Sequence, residues 1–285
     1  MMAARPVQHA KREQPPTEQD RCYVSVSVER FQQDGNTQAD DLIAQEVPVA
    51  LIYNGISHVV MMASPSDLED FAVGFSLSEG IIEQVAEVYD IVVQYDPENL
   101  LAGVEVHLSI AAQRQMELKK RRRNLTGRTG CGLCGAESLQ EVMRPVGHVE
   151  AQPLVEGQAV EAAVAALAKH QPLQAMTGAF HGAAWCDGQG NILQLREDIG
   201  RHNALDKLLG YLRRSEIELN TGFVLVSSRA SYEMVYKSSR CGVATLVAVS
   251  APTALALKMA QEAGLNLIGF ARPGRHVVYH RATEE

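Results

Sequence analysis

The sequence has no apolar run that approaches the roughly 20 residues needed to span a bilayer. The segment Met1–Gln19 is polar and contains prolines, so it lacks the apolar centre of a secretory signal. We therefore expect a cytoplasmic protein. The formal net charge of −8 argues against general nucleic-acid binding, which depends on neutralising phosphates. Neither a membrane nor a nucleic acid is expected as a partner.

Cysteine is scarce, with five residues in 285, and a disulfide framework is not expected in a reducing compartment. Cys131 and Cys134 form a C-x-x-C pair inside a glycine-rich stretch. No second pair of ligands follows at zinc-site spacing, so structural zinc is the weaker interpretation. A redox dithiol normally opens a helix after a strand, which this pair does not. A nucleophilic or sulfur-carrying cysteine is therefore favoured, and no metal ligand is assigned.

Hydrophobic patterning predicts an N-terminal part with strands and few helices. A disordered tail (1–20) is followed by a predicted α+β domain (21–125) and by a mobile cysteine loop (126–137). The domain's predicted strands are 22–28, 47–53, 56–62, 89–95 and 103–108, and its predicted helices are 64–78 and 112–123. Asn54-Gly55 between two apolar runs is a strong hairpin signal.

The second part (138–285) alternates helices and strands, which favours an α/β domain with crossover units on a mainly parallel sheet. Its predicted helices are 159–170, 201–213, 232–240 and 253–263, and its predicted strands are 177–186, 192–196, 222–226, 243–249 and 266–270. The first two of these strands are predicted to form a hairpin across Asp187-Gly188-Gln189-Gly190. This order is that of the cytidine deaminase-like fold. The fold class is therefore α/β, with a three-layer domain of that type after the smaller α+β domain.

The zinc signature of deaminases is absent from this second part. Such enzymes need H-x-E on one helix and P-C-x-x-C on the next. The corresponding positions hold Arg201-His202-Asn203 and Ser228-Arg229-Ala230-Ser231. Deamination is disfavoured, although a zinc protein or nucleotide-modifying enzyme of that ancestry stays an alternative.

Polar residues concentrate where the predicted strands of the second part end. These segments are 196–203, 227–231 and 270–275. Open α/β sheets bind ligands at this edge, where helix N-termini face the ligand. Arg229 could contact a phosphate, and one aromatic ring with two arginines at 270–275 suits a purine and its phosphates. Some charges must be structural pairs, for example Asp198 with Arg201.

Other polar residues have simpler interpretations. His181 is more readily a core histidine than a ligand, and Cys186, next to the single Trp185, is a buried packing cysteine. The basic run Lys119–Arg123 is either a solvated helix face or a group of cations that lowers a thiol pKa or docks an acidic partner.

Several long motifs in order resemble those of the formate dehydrogenase accessory sulfurtransferase family (FdhD/NarQ). They are the segments 127–135, 177–187, 196–207, 227–242 and 269–276. The resemblance implies an enzyme, a sulfurtransferase that accepts sulfur from a cysteine desulfurase as a persulfide. It also implies delivery of that sulfur to the molybdenum of bis(molybdopterin guanine dinucleotide), which formate dehydrogenase requires. The alternative is a chaperone that binds this cofactor without transferring sulfur.

By position, the resemblance implies that Cys131 bears the persulfide and that Cys134 is its partner in the catalytic pair. It implies a homodimer that works with the desulfurase and the formate dehydrogenase catalytic subunit. The expected cofactor-binding residues are Phe270, Ala271, Arg272, Pro273, Gly274, Arg275, Arg229 and His202.

Overall fold

A computed structural model describes residues 21–33, 35–123 and 146–282. The described strands form three sheets, and we number them in chain order. The strands are β1 (Tyr23–Gln32), β2 (Gly35–Ala44), β3 (Val47–Tyr53), β4 (Ile56–Ala63), β5 (Val88–Tyr95), β6 (Val104–Ile110), β7 (His181–Asp187), β8 (Ile192–Asp198), β9 (Gly222–Val226), β10 (Thr245–Ala248), β11 (Asn266–Arg272) and β12 (Arg275–His280).

The described helices flank these sheets. They are α1 (Leu68–Ser78), α2 (Ala112–Arg123), α3 (Gly157–Leu167), α4 (Pro172–Thr177), α5 (Arg201–Arg214), α6 (Tyr232–Arg240) and α7 (Ala254–Ala263). Short 3₁₀ turns occupy 85–87, 100–102 and 168–170. Among the described residues, no helix has both the length and the apolar character needed to cross a membrane.

The largest sheet has the strand order β12-β11-β10-β9-β7-β8. Strands β9, β10 and β11 are parallel, whereas β7 runs antiparallel to β9, and β7–β8 and β11–β12 are antiparallel pairs. The hairpin predicted between the strands 177–186 and 192–196 is confirmed as β7–β8, and the parallel pairing predicted for the sheet holds for β9, β10 and β11. The antiparallel pairing of β7 with β9 and the β11–β12 hairpin were not predicted. Short turns join β7 to β8 and β11 to β12, and such turns allow only antiparallel pairing.

The four-stranded sheet has the order β4-β3-β6-β5 and comes from the predicted N-terminal part. The predicted hairpin at Asn54-Gly55 is confirmed, with φ of 45° and 77° at the two turn residues. The Asn54 side chain also exchanges two hydrogen bonds with the backbone of Ile110, at 2.8 and 2.9 Å. This contact fixes the turn to the end of β6.

The two parts of the chain share one core, because α1 crosses α5 at two glycines. A Cβ on Gly74 would lie 1.8 Å from the Asp206 carbonyl oxygen, and a Cβ on Gly210 would lie 1.8 Å from the Asp70 carbonyl oxygen. The helices therefore meet backbone to backbone. Buried residues from Val47 to Leu267 form one apolar cluster around this crossing. The domain boundaries drawn from the sequence stay predictions.

Two local predictions were wrong, and two strands were not predicted. The predicted strand 177–186 begins only at His181, because 172–177 is the short helix α4 that starts on proline. Helix α1 begins at Leu68 after Asp67 in a left-handed conformation (φ 52°), so the proline at 65 precedes the helix. Strands β2 and β12 were not anticipated. The cytidine deaminase-like classification stays a prediction.

Candidate functional site

The polar segments singled out in the sequence meet at one edge of the six-stranded sheet. The parallel strands β9, β10 and β11 end there. The antiparallel register pairs Ala183 with Val226 and His181 with Asp198, so β7 begins and β8 ends at the same edge. We call this the carboxyl edge. It brings the β8–α5, β9–α6 and β11–β12 junctions together, as predicted.

Most charges at the β8–α5 junction are structural. The Arg196 guanidinium is 2.8 Å from the Asp70 carboxylate and 3.2 Å from that of Asp67. The Glu197 carboxylate accepts hydrogen bonds from the backbone N–H groups of Leu173 and Gln174, at 3.0 and 2.8 Å. It therefore caps the N-terminus of α4. Neither side chain is available to a ligand.

Asp198 pairs with Lys207 at 2.8 Å, and both side chains are fully buried. The Asp198 carboxylate also accepts from the Gly200 N–H at 2.8 Å and from the Ser64 N–H at 2.9 Å. The predicted Asp198–Arg201 pair is therefore wrong. The Lys207 ammonium group reaches the Asp198 carboxylate because α5 packs back against β8, and sequence spacing alone does not reveal this contact.

Arg201 and His202 remain at the open part of this junction. The His202 Nε2 lies 2.7 Å from the Glu233 carboxylate, and both side chains are partly exposed. The hydrogen bond from His202 lowers the pKa of Glu233. Burial lowers the pKa of His181, and the nearby Arg201 cation lowers it further. This corner therefore combines one guanidinium, two imidazoles and the Glu233 carboxylate.

Sequence reasoning missed Glu233. An acidic residue in the first turn of a helix is usually explained by the helix dipole, and Glu233 occupies that position in α6. Its pairing with His202 depends on α5 and α6 lying side by side. His202 therefore has a partner within the protein, the Glu233 carboxylate, in addition to the ligand contact predicted from the sequence.

The β9–α6 junction presents Arg229 to solvent. The Ser227 hydroxyl is already engaged within the protein, because it accepts a hydrogen bond from the Gly182 N–H at 2.9 Å. This hydrogen bond connects the end of β9 to β7. The Ser228 hydroxyl donates to the Arg229 carbonyl oxygen at 3.1 Å. The Arg229 side chain is exposed and has no ion pair within the described segments. Its guanidinium is open to an anion.

The β11–β12 turn has an unusual backbone. Phe270 adopts a left-handed conformation (φ 48°), which a non-glycine residue holds at a cost of about 1–3 kcal/mol. Its backbone N–H donates to the Ser250 carbonyl oxygen at 3.1 Å, and 38% of the residue is exposed. A register irregularity follows between Gly269 and Arg272. Strain at an exposed aromatic residue is typical of binding sites.

The other residues of this turn divide into core and surface. Ala271 is fully buried, so its side chain packs in the core and cannot contact a ligand. Pro273 and Gly274 form the exposed turn, with Gly274 at φ 78°. Arg272 and Arg275 are exposed and have no ion pair among residues 21–33, 35–123 and 146–282. They flank the turn as two further cations.

The candidate residues are spread along the carboxyl edge. Three strand spacings separate β11, which carries Phe270, from β7, which adjoins the His202 corner. At about 4.8 Å for each spacing, the edge extends over roughly 14 Å. Arg229 follows β9, which lies between these ends. This arrangement suits an elongated anionic ligand more than a single small ion.

Cys131, Cys134 and the predicted loop 126–137 lie outside the described residues. The described cysteines, Cys22, Cys186 and Cys241, are all buried, as expected for Cys186. Burial raises the pKa of Cys186 and of Cys241 to about 12 and also raises that of Cys22. These three thiols are therefore protonated at neutral pH and are poor nucleophiles.

We expect alkylation of the native protein at neutral pH to spare these three cysteines. Iodoacetamide should label Cys131 or Cys134, or both, while Cys22, Cys186 and Cys241 react only after denaturation. Peptide mass spectrometry before and after unfolding measures this pattern. Rapid labelling of Cys186 in the folded protein would contradict the burial that we describe.

Comparison with known proteins places the chain in a family. The sequence model of the FdhD/NarQ family matches residues 44–284. The chain is 50% identical over 266 residues to the sulfur carrier protein FdhD of Cupriavidus necator, covering 93% of this chain and 89% of that protein. It is 49% identical over 255 residues to the protein of the same name from Xanthomonas euvesicatoria pv. vesicatoria, covering 89% of each.

A solved structure has the same fold. It is a crystal structure described as a candidate formate dehydrogenase accessory protein from Desulfotalea psychrophila. The TM-score is 0.71 at 22% sequence identity, over 91% of this chain and 97% of that one. From the family match and the close relatives, this chain belongs to the FdhD/NarQ family.

Proposed function

We propose that this protein is a sulfur carrier for formate dehydrogenase. Sulfur enters as a persulfide on Cys131, supplied by a cysteine desulfurase, and is delivered to the molybdenum of bis(molybdopterin guanine dinucleotide). The sulfur-carrier role draws support from the names of relatives about 50% identical over most of the chain. The structural observation that carries the cofactor assignment is the row of exposed arginines at the carboxyl edge, for which the described residues supply no ion pair.

The loading step needs only a thiolate. The Cys131 thiolate attacks the terminal sulfur of the donor persulfide, the donor's sulfur–sulfur bond breaks, and the donor cysteine leaves as a thiolate. A new sulfur–sulfur bond forms on Cys131, and there is no net oxidation or reduction. The thiols of Cys186 and Cys241 are buried and have raised pKa values, so they do not compete with Cys131 in this reaction.

The residues of the carboxyl edge fit the proposed sulfur acceptor. Arg229, Arg272 and Arg275 can form charge-assisted hydrogen bonds with its phosphates. The exposed ring of Phe270 offers a surface for a guanine base. The cofactor would supply the molybdenum that receives sulfur, while this chain's residues bind its anionic and aromatic ends. The chain has a net charge of −8, yet three exposed arginines at one edge have no ion pair in the part of the chain that the structure describes, which is consistent with a polyanionic ligand.

The decisive experiment is persulfide detection on the purified protein. After incubation with a cysteine desulfurase and cysteine, we expect an added mass of one sulfur atom that maps to Cys131 or Cys134 and disappears on reduction. A cofactor chaperone without sulfur transfer, the alternative function, predicts no such adduct. Absence of the adduct under conditions in which the desulfurase itself is charged would contradict the proposal.

Guanine nucleotide affinity tests the cofactor assignment separately. With GDP as the probe, we expect the double variant Arg272→Ala, Arg275→Ala to bind about 10- to 100-fold more weakly in calorimetry, because two charge-assisted contacts are lost. Arg213→Ala is the matched control, since Arg213 is an exposed arginine in the last turn of α5. Equal affinity in the double variant and the wild type would rule out this edge as the nucleotide site.

A further inference from the structure

Two pairs of polar side chains connect α5 and α6 on successive helical turns. The outer pair is His202 with Glu233, 2.7 Å apart, and the inner pair is Asp206 with Lys237, 2.8 Å apart. Each helix supplies residues four positions apart, which lie on one face of a helix. The inner pair is buried, whereas each side chain of the outer pair is exposed by more than a quarter.

The inner pair already joins the helices. The Lys237 ammonium group donates to both Asp206 carboxylate oxygens, at 2.8 and 3.1 Å, and to the Ser78 hydroxyl of α1 at 2.9 Å. Loss of one partner from a buried pair is strongly destabilising, whereas a partly exposed pair contributes little. Stability therefore accounts for the inner pair but not for an imidazole–carboxylate contact at the carboxyl edge.

The surroundings of Glu233 keep its carboxyl group ionised. The contact with His202 lowers the pKa of Glu233, and the nearby cations Lys237 and Arg201 lower it further, against the effect of partial burial. An ionised carboxylate only accepts hydrogen bonds, so the Nε2 atom of His202 carries the proton. In the neutral ring the free lone pair is then on Nδ1, which makes no hydrogen bond to a described residue.

The alignment of the outer pair is typical of a catalytic site without its ligand. The Nε2 atom is buried, and its contact with Glu233 is short but departs from ideal hydrogen-bond alignment. Catalytic hydrogen bonds are often poorly aligned in free enzymes and tighten when the ligand binds. His181, the other imidazole of the corner, forms no ion pair with a carboxylate of the described segments, and burial lowers its pKa. Only His202 therefore has its tautomer fixed by a carboxylate.

Two further polar atoms flank this pair. Arg201 Nε and Ser231 Oγ are buried and make no hydrogen bond within the described ranges. Arg201 precedes His202, and Ser231 lies two residues before Glu233. Buried polar atoms normally have a partner, so these two can serve a bound ligand.

We propose, on the basis of the sulfur-carrier function above, that His202 is the proton acceptor in sulfur delivery and that Glu233 positions it. The terminal sulfur of a persulfide, like that of a thiol, reacts as its anion. The terminal S–H bond of the Cys131 persulfide breaks, the proton moves to Nδ1 of His202, and the electron pair stays on sulfur. Nothing is oxidised or reduced. Glu233 holds the Nε2–H tautomer and stabilises the imidazolium that forms, as the carboxylate of a catalytic triad does.

The tautomer of His202 in the resting protein tests the role of Glu233 without any sulfur chemistry. Long-range ¹H–¹⁵N correlation spectra should show neutral His202 protonated on Nε2, with its signal assigned by its loss in His202→Gln. In Glu233→Met, the ratio of this tautomer to the other should fall about 10- to 100-fold, because a charge-assisted hydrogen bond is lost. Glu262→Met is the matched control, since Glu262 pairs with Lys258 on α7. Protonation on Nδ1 in the wild type, or an unchanged ratio in Glu233→Met, would overturn the role of Glu233.

The rate of sulfur delivery tests His202 itself. Each protein is loaded by a cysteine desulfurase and cysteine, and then added to an extract of a strain that lacks this protein. We expect formate dehydrogenase activity to appear about 100-fold more slowly with His202→Gln and about 10-fold more slowly with Glu233→Met, because general base catalysis is lost or weakened. Persulfide loading, measured by intact mass, should match the wild type. His170→Gln is the control, since His170 is an exposed histidine that follows α3.

The two measurements separate this assignment from the sulfur-carrier function. Normal loading together with a wild-type delivery rate in His202→Gln would overturn the assignment and leave the carrier function intact. Loss of loading in His202→Gln would place the residue before delivery and would also overturn it. A wild-type protein that accepts no persulfide would contradict the carrier function and, with it, the role of His202.

Discussion

Cells that carry only the Cys131→Ala variant are expected to lack formate dehydrogenase activity, with a reduction to the level of a strain without this protein. The physical reason is that a methyl group cannot accept sulfur from a persulfide donor, and the described cysteines are buried with raised pKa values. Formate oxidation in cell extracts measures the effect.

Two controls separate loss of chemistry from loss of fold. The melting temperature of the purified Cys131→Ala protein separates the two: an unchanged value attributes the lost activity to chemistry, and a lowered value attributes it to folding. Cys134→Ala, assayed in parallel, distinguishes a second sulfur-bearing thiol from a residue that only supports Cys131. Wild-type formate oxidation in the Cys131→Ala strain would contradict the assignment of the carrier thiol.

The second large effect concerns the helix crossing that joins the two parts of the chain. Gly74→Ala should destabilise the protein by about 3 kcal/mol or more, because the new Cβ would lie 1.8 Å from the Asp206 carbonyl oxygen and the helices would have to separate. Helix propensity alone predicts the opposite sign, a gain of about 1 kcal/mol for alanine over glycine. Urea unfolding, monitored by circular dichroism, measures the change in the free energy of unfolding. The sign of that change distinguishes the steric effect from the effect of helix propensity.

A glycine in open space is the proper control for this substitution. Gly188 lies in the β7–β8 turn, and a Cβ there would come no closer than 3.9 Å to any neighbouring atom. Gly188→Ala should therefore change the free energy of unfolding by less than about 0.5 kcal/mol. A stable Gly74→Ala protein would mean that α1 and α5 do not cross at their glycines.

Local patterns in the sequence were sufficient to predict most helices and strands of the fold. Asn54-Gly55 identified the β3–β4 hairpin because that dipeptide readily takes the two positive φ angles of the turn. Alternating helices and strands identified the α/β part. The turn at 187–190 identified the β7–β8 hairpin. The sequence did not identify the antiparallel pairing of β7 with β9 or the strand β12, because local patterns do not show which strands become neighbours in the sheet.

The candidate site was also predictable from the sequence only in part. The sequence located all three polar junctions of the carboxyl edge, since polar residues after apolar strands are a local pattern. It could not say which charges are structural. Only the fold pairs Asp198 with Lys207 and His202 with Glu233, contacts between side chains brought together by helix packing.

By itself, the sequence determined the paired cysteines, the order of most elements and the motifs of the family, because these are properties of neighbouring residues. The tertiary structure alone decided that Arg229, Arg272 and Arg275 lie exposed at one edge with no ion pair to another described residue, while Arg196 and Lys207 are held in ion pairs. Charged side chains are distinguished by burial and by long-range partners, and both arise only when the sheet and helices pack.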